Sequence, residues 1–331
     1  MEGTPPLLLH LIVFQSASFS LGHIHTFSYV LGFFEDYVEI ANSSPDGKVL
    51  TQPALGIIKR DYNRSDADSA PIQEYLNREH VNDGISYKLI YVIRHGRGVH
   101  NVEMDALKLS EIEGQLKAID GISLNWNNYW SRKDGNGEVV WADAQLVEEG
   151  ILQAQSLAKL WLEEAKKDAL PLPNTVYTSP LARCLETTKQ VYSTVMAKHG
   201  RLLRPIIKED LRERITNHTC DRRSSRSWIE RNYPDYIIED GLSELDRSWN
   251  ADTSESFEQH TVRTQRLLDD IFLHDSSPII SLTTHSYTIT SLLAVVKHPK
   301  FRVNEGTIVP LFVKAERVTS SADCISKVHG Q

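Results

Sequence analysis

From residue 87 onwards, short apolar runs alternate with segments of helical spacing, and this alternation most constrains what the chain can fold into. The runs 88–93 (KLIYVI), 175–177, 205–208, 278–283 (PIISLT) and 307–313 are short, apolar and rich in β-branched residues, as buried strands are. Between them, 146–164 places Ile151, Ala154, Leu157, Leu160 and Trp161 at helical intervals. The stretch 181–196 follows Pro180, which is tolerated in a first helical turn because its missing N–H has no partner there anyway. The segments 257–273 and 287–296 complete the helices. Strands alternating with helices predict a three-layer α/β/α sandwich around a mostly parallel sheet. In such a sheet the functional site forms beyond the carboxyl ends of the strands.

Those ends carry polar residues that packing alone does not ask for. The run 88–93 enters Arg94-His95-Gly96, 175–177 enters Thr178-Ser179-Pro180-Leu181-Ala182-Arg183, and 278–283 enters Thr284-His285-Ser286. Glu213 follows the short run 205–208 after Leu211-Arg212. Two histidines and two arginines at one sheet edge make a positive pocket. Arginine presents a planar fork that matches phosphate oxygens. A neutral imidazole can attack phosphorus and carry the phosphoryl group, and positive neighbours stabilise charge spread over the equatorial oxygens. The leaving oxygen needs a proton, which a protonated carboxylic acid supplies. This chemistry calls for no metal or cofactor. A metal site from His95, His100 and His285 is disfavoured, because the adjacent arginines repel a cation.

The strings Arg94-His95-Gly96 with Asn101, 177–188 (YTSPLARCLETT) and Thr284-His285 resemble the signature motifs of the histidine phosphatase superfamily, in its phosphoglycerate-mutase-like branch. The segment 143–154 (DAQLVEEGILQA) is similar to the start of a helix in that family. Within the branch, the chain is most similar to fungal and plant phosphoglycerate-mutase-like proteins. The pieces that carry this are 95–101 (HGRGVHN), the aromatic stretch 126–141 (WNNYWSRKDGNGEVVW), and Leu211-Arg212-Glu213 leading to Cys220-Asp221-Arg222-Arg223. The resemblance spans roughly 28 to 315. A lone RHG tripeptide is a weak signal, whereas four ordered motifs at strand ends are a specific one. Arg97-Gly98-Val99-His100 departs from the segment that follows RHG in the glycolytic mutases.

The resemblance implies roles residue by residue. His95 is the phosphorylated nucleophile, and Arg94, Arg183 and His285 hold the phosphoryl oxygens. Glu213 is the general acid, then the base for water, and Asn101 lines the phosphate pocket. Arg97, His100, Arg222, Arg223 and Ser286 are weaker candidates for contacts to the rest of the substrate. The expected activity is a metal-independent phosphatase acting on a small phosphorylated metabolite. A phosphomutase of the same chemistry and a non-catalytic phosphate-binding or scaffold protein are the alternatives.

Upstream, 43–86 is rich in Ser, Asp, Asn and Pro, so 1–86 reads as an extension wrapped on a catalytic domain at 87–331, with an insertion near 110–142. The apolar run 5–14 (PPLLLHLIVF) has no positive residue before it, which leaves a buried arm and a secretory signal both open. A cytoplasmic location is expected, with secretion the alternative, under which the sequons at Asn42, Asn63 and Asn217 would matter. The run is too short to span a bilayer. Cys184, Cys220 and Cys324 form no CxxC pair and no disulfide framework. Cys184 reads as a core residue, and Cys220 beside Asp221 as a candidate reactive thiol. A net charge of -8 argues against nucleic acid as the partner, since such binding rests on a basic face. The tryptophan-rich stretch therefore reads as packing or a pocket wall. Nothing in the pattern speaks to oligomeric state.

Overall fold

A computed structural model describes residues 24–58, 76, 84–115, 117–119, 122–165 and 171–318. The apolar run 5–14, Asn63, Cys324 and much of 59–83 lie outside these residues.

The strands are β1 (His25–Tyr29), β2 (Lys48–Val49), β3 (Ile85–Arg94), β4 (Ala118–Ile119), β5 (Ile122–Ser123), β6 (Thr175–Thr178), β7 (Ile206–Ile207), β8 (Ile237–Ile238), β9 (Ile279–Thr284), β10 (Arg302–Val303) and β11 (Ile308–Arg317). The helices are α1 (Tyr37–Ser43), α2 (Val99–Ile112), α3 (Glu148–Ala165), α4 (Ala182–Lys198), α5 (Arg226–Asn232), α6 (Phe257–His274) and α7 (Ser286–Val295). Seven strands form one mixed sheet in the order β1-β11-β3-β9-β6-β7-β8. β3, β9, β6, β7 and β8 are mutually parallel, and β11 runs antiparallel to both β1 and β3.

Alternation along β3 separates the two helical layers. Tyr91 points to one face and meets Trp161 of α3 edge-on, with ring centroids 4.8 Å apart. Lys88, three residues earlier and so on the opposite face, lies over Phe272 of α6. Tyr192 of α4 donates to Ser281 of β9 on the α3 side. The expected three-layer sandwich is the observed architecture. β3 and β9 are buried almost throughout, which is why they read as continuous apolar runs rather than alternating ones.

The segment 24–58 joins the sheet directly. β1 pairs with β11, and Phe27, Phe33, Phe34, Tyr37, Val49 and Leu55 enter the same core as the central strands. Only five residues long, β1 is stabilised by a partner distant in sequence, so local pattern does not reveal it. α2 is likewise not announced by apolar spacing: most of it is solvated, and Asn101 is its one fully buried residue. The stretch expected as an insertion begins inside α2. It continues through the β4–β5 hairpin into a tryptophan-rich loop, where Trp126 and Trp141 are buried with Ala144 and Cys220 in a small cluster of their own.

Candidate active site

Register brings the polar strand ends together. β3, β9 and β6 are adjacent and parallel, with Arg94 opposite Thr284 and Thr178 opposite Thr283. Past those pairs, the His95 N–H donates to Thr284 O at 3.0 Å and the Ser179 N–H to Thr283 O at 3.0 Å. His95, Arg183 and His285 therefore converge although more than 80 residues separate each from the next. The His95 and His285 ring centroids are 5.1 Å apart, and those of His95 and His100 are 5.7 Å apart.

The His95 loop is held by close backbone packing. A Cβ on Gly96 would lie 2.3 Å from Gly150 O, and one on Gly150 would lie 2.1 Å from Arg97 O. Both positions thus need glycine so that the loop can rest on the first turn of α3. The Gly96 N–H donates to Thr187 Oγ1, and Gly306 N–H to His95 O. The ring of His95 is buried, with Nδ1 2.8 Å from Gly96 O. A carbonyl only accepts, so Nδ1 carries the proton and Nε2 keeps its lone pair. Burial, then the charges of Arg183 and Arg94, hold this imidazole neutral, well below its ordinary titration range.

Arg183 lies in the first turn of α4 and is 1% exposed. Its Nε donates to His285 Nδ1, one terminal nitrogen to Cys220 O at 2.7 Å, and the other approaches Asp221 Oδ1 at 3.4 Å. His285, fully buried, is engaged at both nitrogens: Nε2 lies 2.8 Å from Ser179 Oγ. Burial and Arg183 keep it neutral too. Arg94 donates to Val303 O and to Glu305 at 2.6 Å, so its terminal nitrogens face protein partners and it reaches His95 through its charge.

The Glu213 carboxylate accepts from the Arg214 N–H at 2.8 Å and from the Tyr287 N–H, in the first turn of α7, at 3.1 Å. Those bonds favour the ionised form. Burial and the negative charge of Asp221 outweigh them, and the Glu213 pKa is raised. The backbone of Glu213 is fixed by Arg263, which donates to its carbonyl and to that of Arg212.

The weaker candidates separate. His100 faces His95, and its Nδ1 is shut from solvent without a partner. Asn101 accepts the Gly98 N–H at 3.0 Å, so its oxygen caps α2. Arg97 pairs with Asp105 and Glu149. Arg222 pairs with Asp134 and lies over the Trp249 ring, partly exposed. Ser286 opens α7 and is half-buried. Arg223 departs from the expectation of substrate contact: it is buried, and its guanidinium is taken up by Glu209 and the carbonyls of Ser224 and Ser243. Cys220 departs from the expectation of a reactive thiol, because burial pushes its pKa well above the ordinary value. Cys184 is a buried core residue against His285.

The pattern of motifs misses Asp143. Its two oxygens accept the Ala182 N–H, at the start of the helix that carries Arg183, and the Ser224 N–H, at 2.9 and 2.8 Å. Its backbone adopts a positive φ of 43°, a conformation aspartate tolerates better than most residues. A separate hollow of about 680 Å³, lined by Glu35, Asp36, Glu39, Lys48 and Gln52 among others, shares no residue with the histidine cluster.

The family profile described as histidine phosphatase superfamily (branch 1) matches residues 131–303, slightly more than half of the chain. The chain belongs to the histidine phosphatase superfamily. The matched span of this histidine phosphatase takes in Arg183, Glu213 and His285 and begins downstream of His95. A probable phosphoglycerate mutase of Arthroderma benhamiae is 39% identical over 75% of this chain and 69% of its own. A probable phosphoglycerate mutase of Saccharomyces cerevisiae is 29% identical over 69% of this chain and 79% of its own. Among solved structures, an Escherichia coli protein titled a putative alpha-ribazole-5'-P phosphatase superposes with a TM-score of 0.41 at 17% identity, covering 70% of this chain and 96% of that one. Among the described residues, no helix of this family member is long and apolar enough to cross a membrane.

Proposed function

We propose that this chain is a phosphomonoesterase acting on a small phosphorylated metabolite through a phospho-His95 intermediate. The observation that carries this reading is the bare Nε2 of a neutral, buried His95 set within the field of Arg183 and Arg94. Nε2 attacks phosphorus as the bond from phosphorus to the leaving oxygen breaks. Glu213, its proton affinity raised by burial and Asp221, delivers the proton to that oxygen. The resulting carboxylate takes a proton from water, whose oxygen attacks the phospho-imidazole, and breaking of the P–N bond returns neutral His95. The His285 Nε2–H turns from Ser179 Oγ to a phosphoryl oxygen when substrate arrives. Arg222, His100 and Ser286 stand at the substrate side of this site.

The similarity to probable phosphoglycerate mutases favours a second reading, a phosphomutase that returns the phosphoryl group to substrate instead of water. Phosphate release from a panel of phosphorylated metabolites, with chelator present, tests the proposal on wild type and His95→Ala. Release by wild type alone, with an acid-labile phospho-histidine trapped on quenching, supports hydrolysis. An isomerised phosphorylated product without free phosphate favours the mutase. Tight vanadate binding without phospho-histidine favours a binding protein, and equal release by His95→Ala overturns the mechanism.

A further inference from the structure

Beside this site lies a second set of donor atoms, which takes no direct part in the phosphoryl transfer but touches it through Asp221, whose charge raises the Glu213 pKa. His218, Cys220 and Asp221 each present one donor atom, and the three atoms lie within 4.8 Å of one another. They sit on a single 3₁₀ turn, Thr219–Asp221, with His218 at its N-cap. The turn is pinned from several directions. Trp249 Nε1 donates to His218 O at 2.9 Å, the Asp143 N–H to Thr219 O at 3.2 Å, and Thr219 Oγ1 to Lys133 O at 2.5 Å. Thr216 Oγ1 donates to Asp221 Oδ2 at 2.6 Å, which orients the carboxylate. The His218 imidazole makes no hydrogen bond to any described residue and is half-buried, so its lone pair is reachable from solvent.

We propose that His218, Cys220 and Asp221 form a binding site for a borderline-soft divalent cation, zinc being the best match, and that its occupancy inhibits the neighbouring phosphoryl-transfer site. One imidazole nitrogen, one thiolate and one carboxylate are the donor types zinc takes, whereas magnesium and calcium select all-oxygen sets. Zinc bonds of about 2.0–2.3 Å at tetrahedral angles put ligand atoms about 3.5 Å apart. The three atoms must therefore draw in by roughly an ångström, which rotation of the half-buried His218 ring supplies. Three protein ligands leave a fourth position open to water or to an anionic oxygen. The Cys220 proton is released on binding, because a coordinating thiol is deprotonated. The thiolate and carboxylate then balance the charge of the ion, so the site remains compatible with Arg183 and Arg222 nearby.

Inhibition follows from shared partners. Asp221 Oδ1 is 3.4 Å from Arg183, and Cys220 O accepts from the same guanidinium at 2.7 Å. A cation drawing on Asp221 and Cys220 removes the first contact, shifts the second, and sets positive charge against Arg183. That consequence rests on the phosphatase reading, but the site itself does not.

The test reads the site without activity. Cobalt(II), a spectroscopic stand-in for zinc, is titrated into the full-length, metal-free protein and the thiolate-to-cobalt charge-transfer absorption is followed. The band is expected in wild type, Cys184→Ser and Cys324→Ser, to be lost in Cys220→Ser and His218→Ala, and to be displaced by zinc but not by magnesium. Loss of an outer-shell partner costs about 10–100-fold in metal affinity, so loss of the His218 ligand is expected to exceed about 100-fold in zinc affinity. His218 is not part of the core, so this variant keeps the test readable if Cys220→Ser fails to fold. Absence of the band in wild type, or its survival in either ligand variant, overturns the site. If the band behaves as expected and phosphate release occurs, zinc must suppress that release and chelator restore it; an unchanged rate overturns the inhibitory consequence. A protein that shows the band but no turnover on any substrate counts against the phosphatase reading while leaving the metal site standing.

Discussion

Arg183 Nε lies 3.2 Å from His285 Nδ1, and because arginine only donates, the proton of the neutral His285 ring is on Nε2. The same arginine thus orients one histidine of the pair and lowers the proton affinity of the other. Arg183→Lys keeps a positive charge but loses the planar donor set. It is expected to lower kcat/KM by about 10²–10³-fold, the range for removal of one preorganised donor. Nitrogen NMR of labelled histidine should show His285 shifting from a single Nε2–H tautomer to a mixture. An unchanged tautomer would separate the two roles.

The raised pKa of Glu213 predicts the pH dependence of turnover. Its proton is held more tightly than in an ordinary carboxyl, so the acid form persists to higher pH and is lost on the alkaline side. For alkyl phosphates the rate should fall through that pKa, while p-nitrophenyl phosphate, whose leaving group needs little help, should fall less. Asp221→Asn removes a negative charge that raises the Glu213 pKa, so the alkaline limb should move to lower pH. Glu213→Gln should cost about 10²–10⁴-fold with alkyl phosphates and much less with p-nitrophenyl phosphate. Equal losses on both substrates would refute the acid role.

Buried neutral histidines predict sensitivity to acid. His260 is packed beside Thr288 and Ser291, and burial followed by Arg263 lowers its pKa to about 3. His95 and His285 are also lowered. Because the folded-state values lie below the unfolded value of about 6.5, the unfolded chain binds protons first as pH falls. Stability is therefore full above about pH 6.5 and is lost on acidification. At about pH 5 a histidine like His260 costs roughly 2 kcal/mol. His260→Gln should show a smaller drop in Tm between neutral pH and about pH 5 than wild type, measured by calorimetry at several pH values.

Asp143 ties the tryptophan-rich loop to the start of α4. Asp143→Ala leaves the Ala182 and Ser224 amides without their acceptor and should destabilise the fold by about 2–6 kcal/mol, at about 1–3 kcal/mol for each unpaired group. Denaturant unfolding measures it. Because Arg183 is the next residue along, kcat should fall as well. A stability loss with full activity would show that the cap does not position Arg183.

Gly150→Ala is expected to be more disruptive than an ordinary surface change in a helix. The new Cβ would meet Arg97 O at 2.1 Å, and backbone cannot yield as a side-chain tip does. Overpacking of this kind costs about 1–3 kcal/mol or more, and it should also displace the His95 loop. Soluble expression and Tm of Gly150→Ala against Lys159→Ala, an exposed position of the same helix, provide the comparison; indistinguishable Tm values would contradict the close approach.

Local sequence determined the layered α/β architecture, because strand and helix periodicities reflect which face of each element is buried. It also determined which residues stand near the strand ends: His95 and His285 come one residue past apolar runs and Arg183 opens the helix that follows 175–177, and parallel register then leaves them little choice but to meet. What only the tertiary structure decided are relations between loops. β1 finds its place through β11, about 280 residues away, and five residues carry too little pattern to announce it. Arg94 and Arg223 look alike in sequence, yet one donates to Val303 O and Glu305 and the other to the carbonyls of Ser224 and Ser243, because loop paths set where a long flexible side chain finds acceptors. Asp143, Gly150 and the His218–Cys220–Asp221 turn are of the same kind. Their roles are distances to backbone or donor atoms elsewhere in the chain, and no period or motif in a single segment encodes such a distance.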